Sequence, residues 1–482
     1  RRQRQMCIRD SNYTSQTNNS LTKAEITAYN RHRKYGPKPK LCYAPYKSLY
    51  LNADGKITAC CKNNIDYLGQ IQEQSLLDIW KSAQTKSLQE KISNNDLSNG
   101  CSFCEKQIKA KNYSAAEAHY FDYVFEKTNH EFPTEITFDI SNICNLKCVM
   151  CNGRNSALIR AEREGLPPIE NPYNNAFFEE LKLFLPHLKI ARFQGGEPFL
   201  IPNYTDVMEF LIEKNPKCKI YLQTNGTIFN QKVKKIIAAL QVHLSISIDS
   251  LKEHNFNSIR QNGQLKRVIE NFKKFNEISK NKKQKININT CLMNNNWQDI
   301  PDLISFAEQY NCSINVLPVE TPHYYNLNTL NSNKLNEVIA FYQSFDNKFK
   351  NQYYNNVLSQ VTSYIISSFT YQEKFKAEIE RVLKNNSADN LKQLVETELQ
   401  LNKDEVSNQT ALINEINMLL NQIEEENKKR LFAILYVIIN NNKGNNADNV
   451  TTSERLVNYR IYISEFSRRL FQPDYFFNSI NR

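Results

Sequence analysis

The chain has 482 residues, a length that allows about two to four domains. With 40% hydrophobic and 23% charged residues it is neither disordered nor fibrous. Its longest apolar run, Leu431–Ile439, falls far short of the roughly 20 residues that a bilayer span requires. A formal charge of +11 permits an acidic partner but demands none.

Residues 1–10 resemble the translation of a sequencing-library adapter, which implies a metagenomic assembly and a true N-terminus that is missing. They carry four Arg and one Asp, so the charge without them is +8. They are set aside, and Cys7 with them. Residues 11–41 are polar and basic and read as a lead-in with little structure. Lys47–Leu51 and Lys56–Ala59 flank Asn52-Ala53-Asp54-Gly55, a hairpin signal. Ser75 caps a helix that begins Leu76-Leu77-Asp78-Ile79-Trp80, and residues 105–130 read as a helical connector.

From Pro133 short apolar strands recur, at 135–140, 190–194, 219–223, 244–248, 286–291 and 314–319. Helical stretches at 176–184, 204–213 and 265–275 lie between them. In the last, Leu265, Val268, Ile269 and Phe272 mark one face. Such alternation implies an α/β fold with a parallel sheet. Right-handed crossovers would curl it into a partial (β/α)6 barrel, with the chemistry at the C-terminal strand ends. Gly444 is the one glycine after Gly263, and proline is absent between Pro322 and Pro473. Residues 330–482 therefore read as helical. Stripes at Leu335, Val338, Ile339 and Tyr342, and at Leu412, Ile416, Leu419, Leu420 and Ile423, suit a packing or lid bundle.

All cysteines precede residue 313. Close spacing without a visible signal peptide favours metal sites over disulfides and a cytoplasmic protein. Cys144-Asn145-Leu146-Lys147-Cys148-Val149-Met150-Cys151 follows the first barrel strand directly. Three thiolates in eight residues suit a [4Fe–4S] cube with one open iron. Structural zinc prefers four protein ligands, and no His lies nearby. Gln194-Gly195-Gly196-Glu197-Pro198 ends the second strand, Thr224-Asn225-Gly226 the third and Ser245–Ser250 the fourth. Arg260 follows.

These motifs, in this order over about 190 residues, resemble the radical S-adenosylmethionine (SAM) superfamily. The resemblance implies that Cys144, Cys148 and Cys151 hold the catalytic cluster. It assigns Gly195, Gly196, Glu197 and Pro198 to the methionine amino group, with Asn225 at the third strand end. Ser247 and Asp249 would face the ribose and carboxylate, Arg260 the methionine carboxylate, and Leu317 the adenine through strand backbone. Met150 stands where the family often has an aromatic residue. Upstream, Cys42, Gly55 and Cys60, then Cys101 and Cys104, resemble an N-terminal twitch (half-SPASM) domain, which implies one auxiliary [4Fe–4S] cluster. Cys61 is an alternative to Cys60, and spacing alone leaves a four-thiolate zinc site open. Cys218, Cys291 and Cys312 read as core residues. The implied organisation is 1–10 set aside, 11–41 lead-in, 42–130 auxiliary domain and connector, 131–329 core and 330–482 helical region.

The implied activity is reductive cleavage of SAM, with an electron from a flavodoxin- or ferredoxin-type donor. A 5′-deoxyadenosyl radical then takes hydrogen from the substrate, with net oxidation. A peptide or protein side chain is the expected substrate. A sugar-like or amino-acid metabolite, RNA modification without any recognisable RNA module, and a zinc-stabilised interaction protein are the alternatives.

Overall fold

The computed structural model describes residues 21–63, 65–123, 131–398, 410–442 and 452–469. The adapter-like residues 1–10 and the connector segment 124–130 lie outside the described residues. Nine strands make one open sheet: β1 Ser48–Asn52, β2 Lys56–Thr58, β3 Gly69–Gln70, β4 Glu135–Asp139, β5 Ile190–Phe193, β6 Lys219–Thr224, β7 Gln241–Ser247, β8 Asn287–Leu292 and β9 Ser313–Pro318. Their order is β3-β2-β1-β4-β5-β6-β7-β8-β9. From β4 to β9 every pairing is parallel, the partial barrel expected of six strands alternating with helices.

The cysteine-rich front does not build a separate sheet. β1 and β2 form the expected antiparallel hairpin, with Gly55 at φ +83° in the turn. β1 then pairs in parallel with β4, from Ser48 opposite Glu135 to Asn52 opposite Asp139. The hairpin thus continues the barrel wall.

Period-2 burial separates the two faces. Along β7, Val242, Leu244 and Ile246 are buried under the helices, whereas Gln241 and His243 are exposed. The helix Leu265–Asn281 returns Leu265, Val268, Phe272 and Phe275 to that apolar layer. Each such buried side chain contributes about 1.5–3 kcal/mol. The opposite, inner face is polar. Asn289 bonds Gln223 (3.0 Å), Gln223 bonds Ser247 (3.2 Å) and Asn315 bonds Asn289 (3.1 Å).

Two expectations need correction. The lead-in contains a helix, Lys23–His32, closed by a capping box in which Thr22 and Glu25 satisfy each other's backbone N–H. The connector is no continuous helix: Ser102–Lys109 ends, and after a break a 3₁₀ turn covers Glu117–Phe121. The helix stops at Ala110, and Lys111 takes a left-handed φ of +57° that ends it.

The described part of the C-terminal region is helical. Its first helices join the barrel core through Leu335, Val338, Tyr342, Leu358, Val361 and Ile365. A second core begins at Phe375 and gathers Ile379, Leu391, Leu431, Ile434 and Leu456. The apolar layers therefore divide inside the 34-residue helix Gln352–Asn385, not at residue 330. At the outer edge of β9, the Tyr353 hydroxyl bonds both N and O of Ile314 at 3.1 Å.

Candidate functional site

The loop carrying Cys144, Cys148 and Cys151 springs from the C-terminal end of β4. The Tyr204 hydroxyl ties the carbonyls of Phe138 and Gln194 and the N–H of Ile140 at 2.8–3.0 Å, which fixes the ends of β4 and β5 together. Gly195 and Gly196 are required by that junction. Both have positive φ, and a Cβ on Gly196 would stand 2.1 Å from the Ile143 carbonyl oxygen. One on Gly195 would stand 2.4 Å from Asp139 Oδ1. The close approach that demands glycine is thus to the chain entering the cysteine loop, not to a ligand alone. The Glu197 N–H then donates to Ile143 O at 2.7 Å.

Glu197 is buried and accepts from Phe199 N, Thr224 Oγ1 and Asn225 N at 3.2, 2.7 and 2.7 Å. Burial raises its pKa, against those three bonds. It clamps the second strand end to the third. Asn225 in turn donates to Asn145 Oδ1 (2.9 Å), and Asn145 to Thr227 Oγ1 (3.0 Å). Pro198 opens the 3₁₀ turn Pro198–Leu200.

From the other side, Lys147 N and Val149 N donate to the carbonyls of Gln261 and Ile259. Arg260 Nη1 lies 3.7 Å from Cys148 Sγ, and its Nε 2.8 Å from Asp249 Oδ2. These last two atoms are close but misaligned, so neither has a well-formed hydrogen bond. Asp249 Oδ1 accepts from Cys291 N at 2.7 Å. Ser247 meets Gln223 on the inner face, and Leu317 lies half-buried on β9.

Burial pushes the Cys144 thiol up to about 11 and the Cys151 thiol to about 12. Cys148 also rises, opposed chiefly by Arg260. Thiolates there need cationic compensation, which iron would supply. Sequence reasoning missed Arg163, whose guanidinium bonds the carbonyls of Cys148 (3.3 Å) and Cys151 and so braces the loop from behind. It sits in a π-helical turn, Ile159–Glu164, with no distinctive spacing. Asn145 was missed too, although its place between two ligand cysteines was a visible signal.

A second cysteine set lies at the opposite end of the strands. Cys42, Cys60, Cys101 and Cys104 line one cavity together with Leu97, Phe103, Ala118 and Phe121. Cys61 does not line it: its neighbours include Arg192 and Tyr50, toward the inner face. Four thiolates are the number that closes the coordination shell of a [4Fe–4S] cube. Ala44 N donates to Cys42 Sγ (3.4 Å) and Asn63 Nδ2 to Cys101 Sγ (3.6 Å), bonds of the kind that tune a cluster. Cys42 precedes β1 and Cys60 follows β2, so this cavity lies level with Ser48 and Glu135. The five residues of β4 then put about 16 Å of strand between the two levels. Cys218 and Cys312 are buried in the core, whereas Cys291 is half-exposed beside Asp249 and Arg260.

Two cysteine sets at the two ends of one partial barrel agree with what the chain matches. Residues 138–307 match the radical SAM superfamily, and residues 42–105 match an iron–sulfur cluster-binding domain, SPASM. Residues 138–307 are thus a radical SAM superfamily core, with an auxiliary cluster domain in front of it. These domains imply a [4Fe–4S] cluster working with SAM, and an auxiliary cluster.

Among curated proteins, it is 26% identical over 176 residues to a GTP 3′,8-cyclase of Clostridium botulinum, covering 36% of this chain and 53% of that protein. It is 24% identical over 206 residues to a probable GTP 3′,8-cyclase of Methanocaldococcus jannaschii, covering 40% and 64%. The chain spans about half the length of the curated relatives it matches. Among solved structures it resembles Streptococcus suis SuiB bound to precursor peptide SuiA, at 17% identity and TM-score 0.33, covering 54% and 62%.

Proposed function

We propose that this chain oxidises a substrate at an unactivated C–H bond, with Cys144, Cys148 and Cys151 holding the SAM-binding cluster and Cys42, Cys60, Cys101 and Cys104 the auxiliary one. The observation that carries the reading is the pair of thiolate sets at opposite ends of the same strands, with a polar inner face between them. With SAM bound, the cluster that Cys144, Cys148 and Cys151 would hold would supply the hydrogen-abstracting chemistry of a 5′-deoxyadenosyl radical. Cys42, Cys60, Cys101 and Cys104 would close the coordination shell of the auxiliary cluster, which would then not bind substrate through iron. That suits it to carry an electron from the substrate on to an external electron carrier, a net oxidation of the substrate.

The chain's own residues bind and orient. Arg260 and Asp249, misaligned with each other, are placed to turn toward the carboxylate and ribose of SAM. Glu197 and Asn225 lock the strand ends around it. On the inner face, Gln194, Gln223 and Asn315 are exposed carboxamides. Each offers both a donor and an acceptor, which supports a peptide substrate, whose amide groups pair the same way. The similarity to GTP 3′,8-cyclases favours a second reading, a small metabolite. A triphosphate would call for clustered cations, yet Arg192 on this face is engaged with Glu135 at 2.5 Å.

The test is SAM cleavage by anaerobically prepared protein reduced with dithionite. The wild type should release 5′-deoxyadenosine. Replacing Cys144, Cys148 and Cys151 together by Ala should abolish release and remove about four irons. Continued cleavage by the triple variant would overturn the assignment.

A further inference from the structure

A cluster at Cys144, Cys148 and Cys151 must receive an electron from outside, and the surface beside its loop is built for a partner. A pocket of about 480 Å³ is lined by Phe229, Gln264, Lys266, Arg267, Glu270, Asn271 and Lys274. One wall is the loop after β6, the other the start of the helix Leu265–Asn281. Asn271 Nδ2 joins the walls by donating to Gly226 O at 2.9 Å.

Both walls are bonded directly to the cysteine loop. Thr227 in the first accepts from Asn145, next to Cys144. Gln261, leading into the second, accepts from Lys147 N, next to Cys148. The segments that lead into the pocket are thus tied to residues adjacent to Cys144 and Cys148.

Its lining is positively charged. Lys266, Arg267 and Lys274 are exposed, against one acid in the lining, Glu270. Lys266 and Arg267 stand in the first turn of their helix, which holds no acid. Cations there oppose the helix dipole. Two cations added to a positive helix end concentrate positive potential on this face.

We infer that this pocket is the docking site for a small acidic electron-transfer protein, a flavin or iron–sulfur carrier. The inference rests on the radical SAM reading above. In the step it serves, the reduced carrier loses one electron and the cluster at the cysteine loop gains it, with no bond made and no proton moved.

The experiment compares two reductants on the loaded enzyme, following 5′-deoxyadenosine formation and, separately, flavodoxin binding by calorimetry. For the triple variant Lys266→Glu/Arg267→Glu/Lys274→Glu, the rate with reduced flavodoxin and the binding affinity should each fall about tenfold or more. The rate with dithionite should stay within about twofold, since that small reductant needs no docking site. Glu270→Lys should raise the flavodoxin-driven rate and steepen its salt dependence. Unchanged flavodoxin rates and binding would overturn the inference, as would equal loss with both reductants. If the variant instead lost affinity for GTP while flavodoxin binding was unchanged, the pocket would belong to a nucleotide. Failure of dithionite to drive the wild type would sink the radical SAM reading, and the binding measurement would still decide the docking site.

Discussion

Arg260 and Asp249 form an ion pair whose side chains are 9% and 0% exposed, against the loop that carries Cys148. An ion pair that deep tolerates the loss of one partner poorly, because the other is left as an uncompensated buried charge. Arg260→Gln should therefore destabilise the protein by about 3–5 kcal/mol, read from the shift in urea midpoint at constant slope. A midpoint within error of wild type would show that Asp249 finds another counter-charge. The residues of this site were legible as motifs: the cysteine triad and the Gly-Gly-Glu-Pro segment follow the same ends of neighbouring strands, and Arg260 closes the helix Glu253–Ile259 beside them. Their partners were not. That Glu197 clamps Thr224 and Asn225, 27 and 28 positions away, follows from the parallel pairing of β5 and β6, and no local pattern encodes it.

At the level of elements, the front hairpin and the helix Ser102–Lys109 together frame the four-cysteine cavity, while the three-cysteine loop hangs from the far end of β4. Sites separated in this way should load independently. Cys101→Ala/Cys104→Ala is expected to lose about four irons and product formation yet keep SAM cleavage. Iron analysis, electron paramagnetic resonance and 5′-deoxyadenosine assay check the three parts. One equivalent of zinc in the wild type, with iron for a single cluster, would contradict it. The barrel strands could be read from apolar runs bounded by turn residues. The parallel pairing of β1 with β4 could not, because more than 80 residues separate them and the run at Leu49–Leu51 suits either sheet edge. The helix Lys23–His32 carried a signal in Thr22 and Glu25, which the polar composition around it obscured.

On the scale of the whole molecule, barrel and helical bundle meet near the turn His323–Tyr325. His323 is buried against Phe375, at 5.7 Å between rings, and burial lowers its pKa from 6.5 to about 4. The folded protein thus holds the ring neutral. Below pH 6.5 the unfolded chain binds a proton that the folded one refuses, so stability falls between pH 6.5 and 4 and then levels off. The loss should approach roughly 3 kcal/mol. His323→Phe should remove that part of the pH dependence, seen as a shallower fall of Tm over this range than in wild type. Parallel curves would show that the ring protonates without penalty. The bundle also reaches the cysteine loop's support, since Arg460 Nη2 bonds Arg163 O at 2.9 Å.

The phenol of Tyr353 sits where a tenth strand would otherwise hydrogen-bond, answering both polar groups of Ile314. At the far edge, β3 is only two residues long. A sheet finished in this way gives other chains little template to extend it. Tyr353→Phe removes the hydroxyl and leaves the ring, at a cost of about 1 kcal/mol. Its consequence should appear less in the melting temperature than in self-association: light scattering of the cluster-free protein should grow faster with concentration than in wild type.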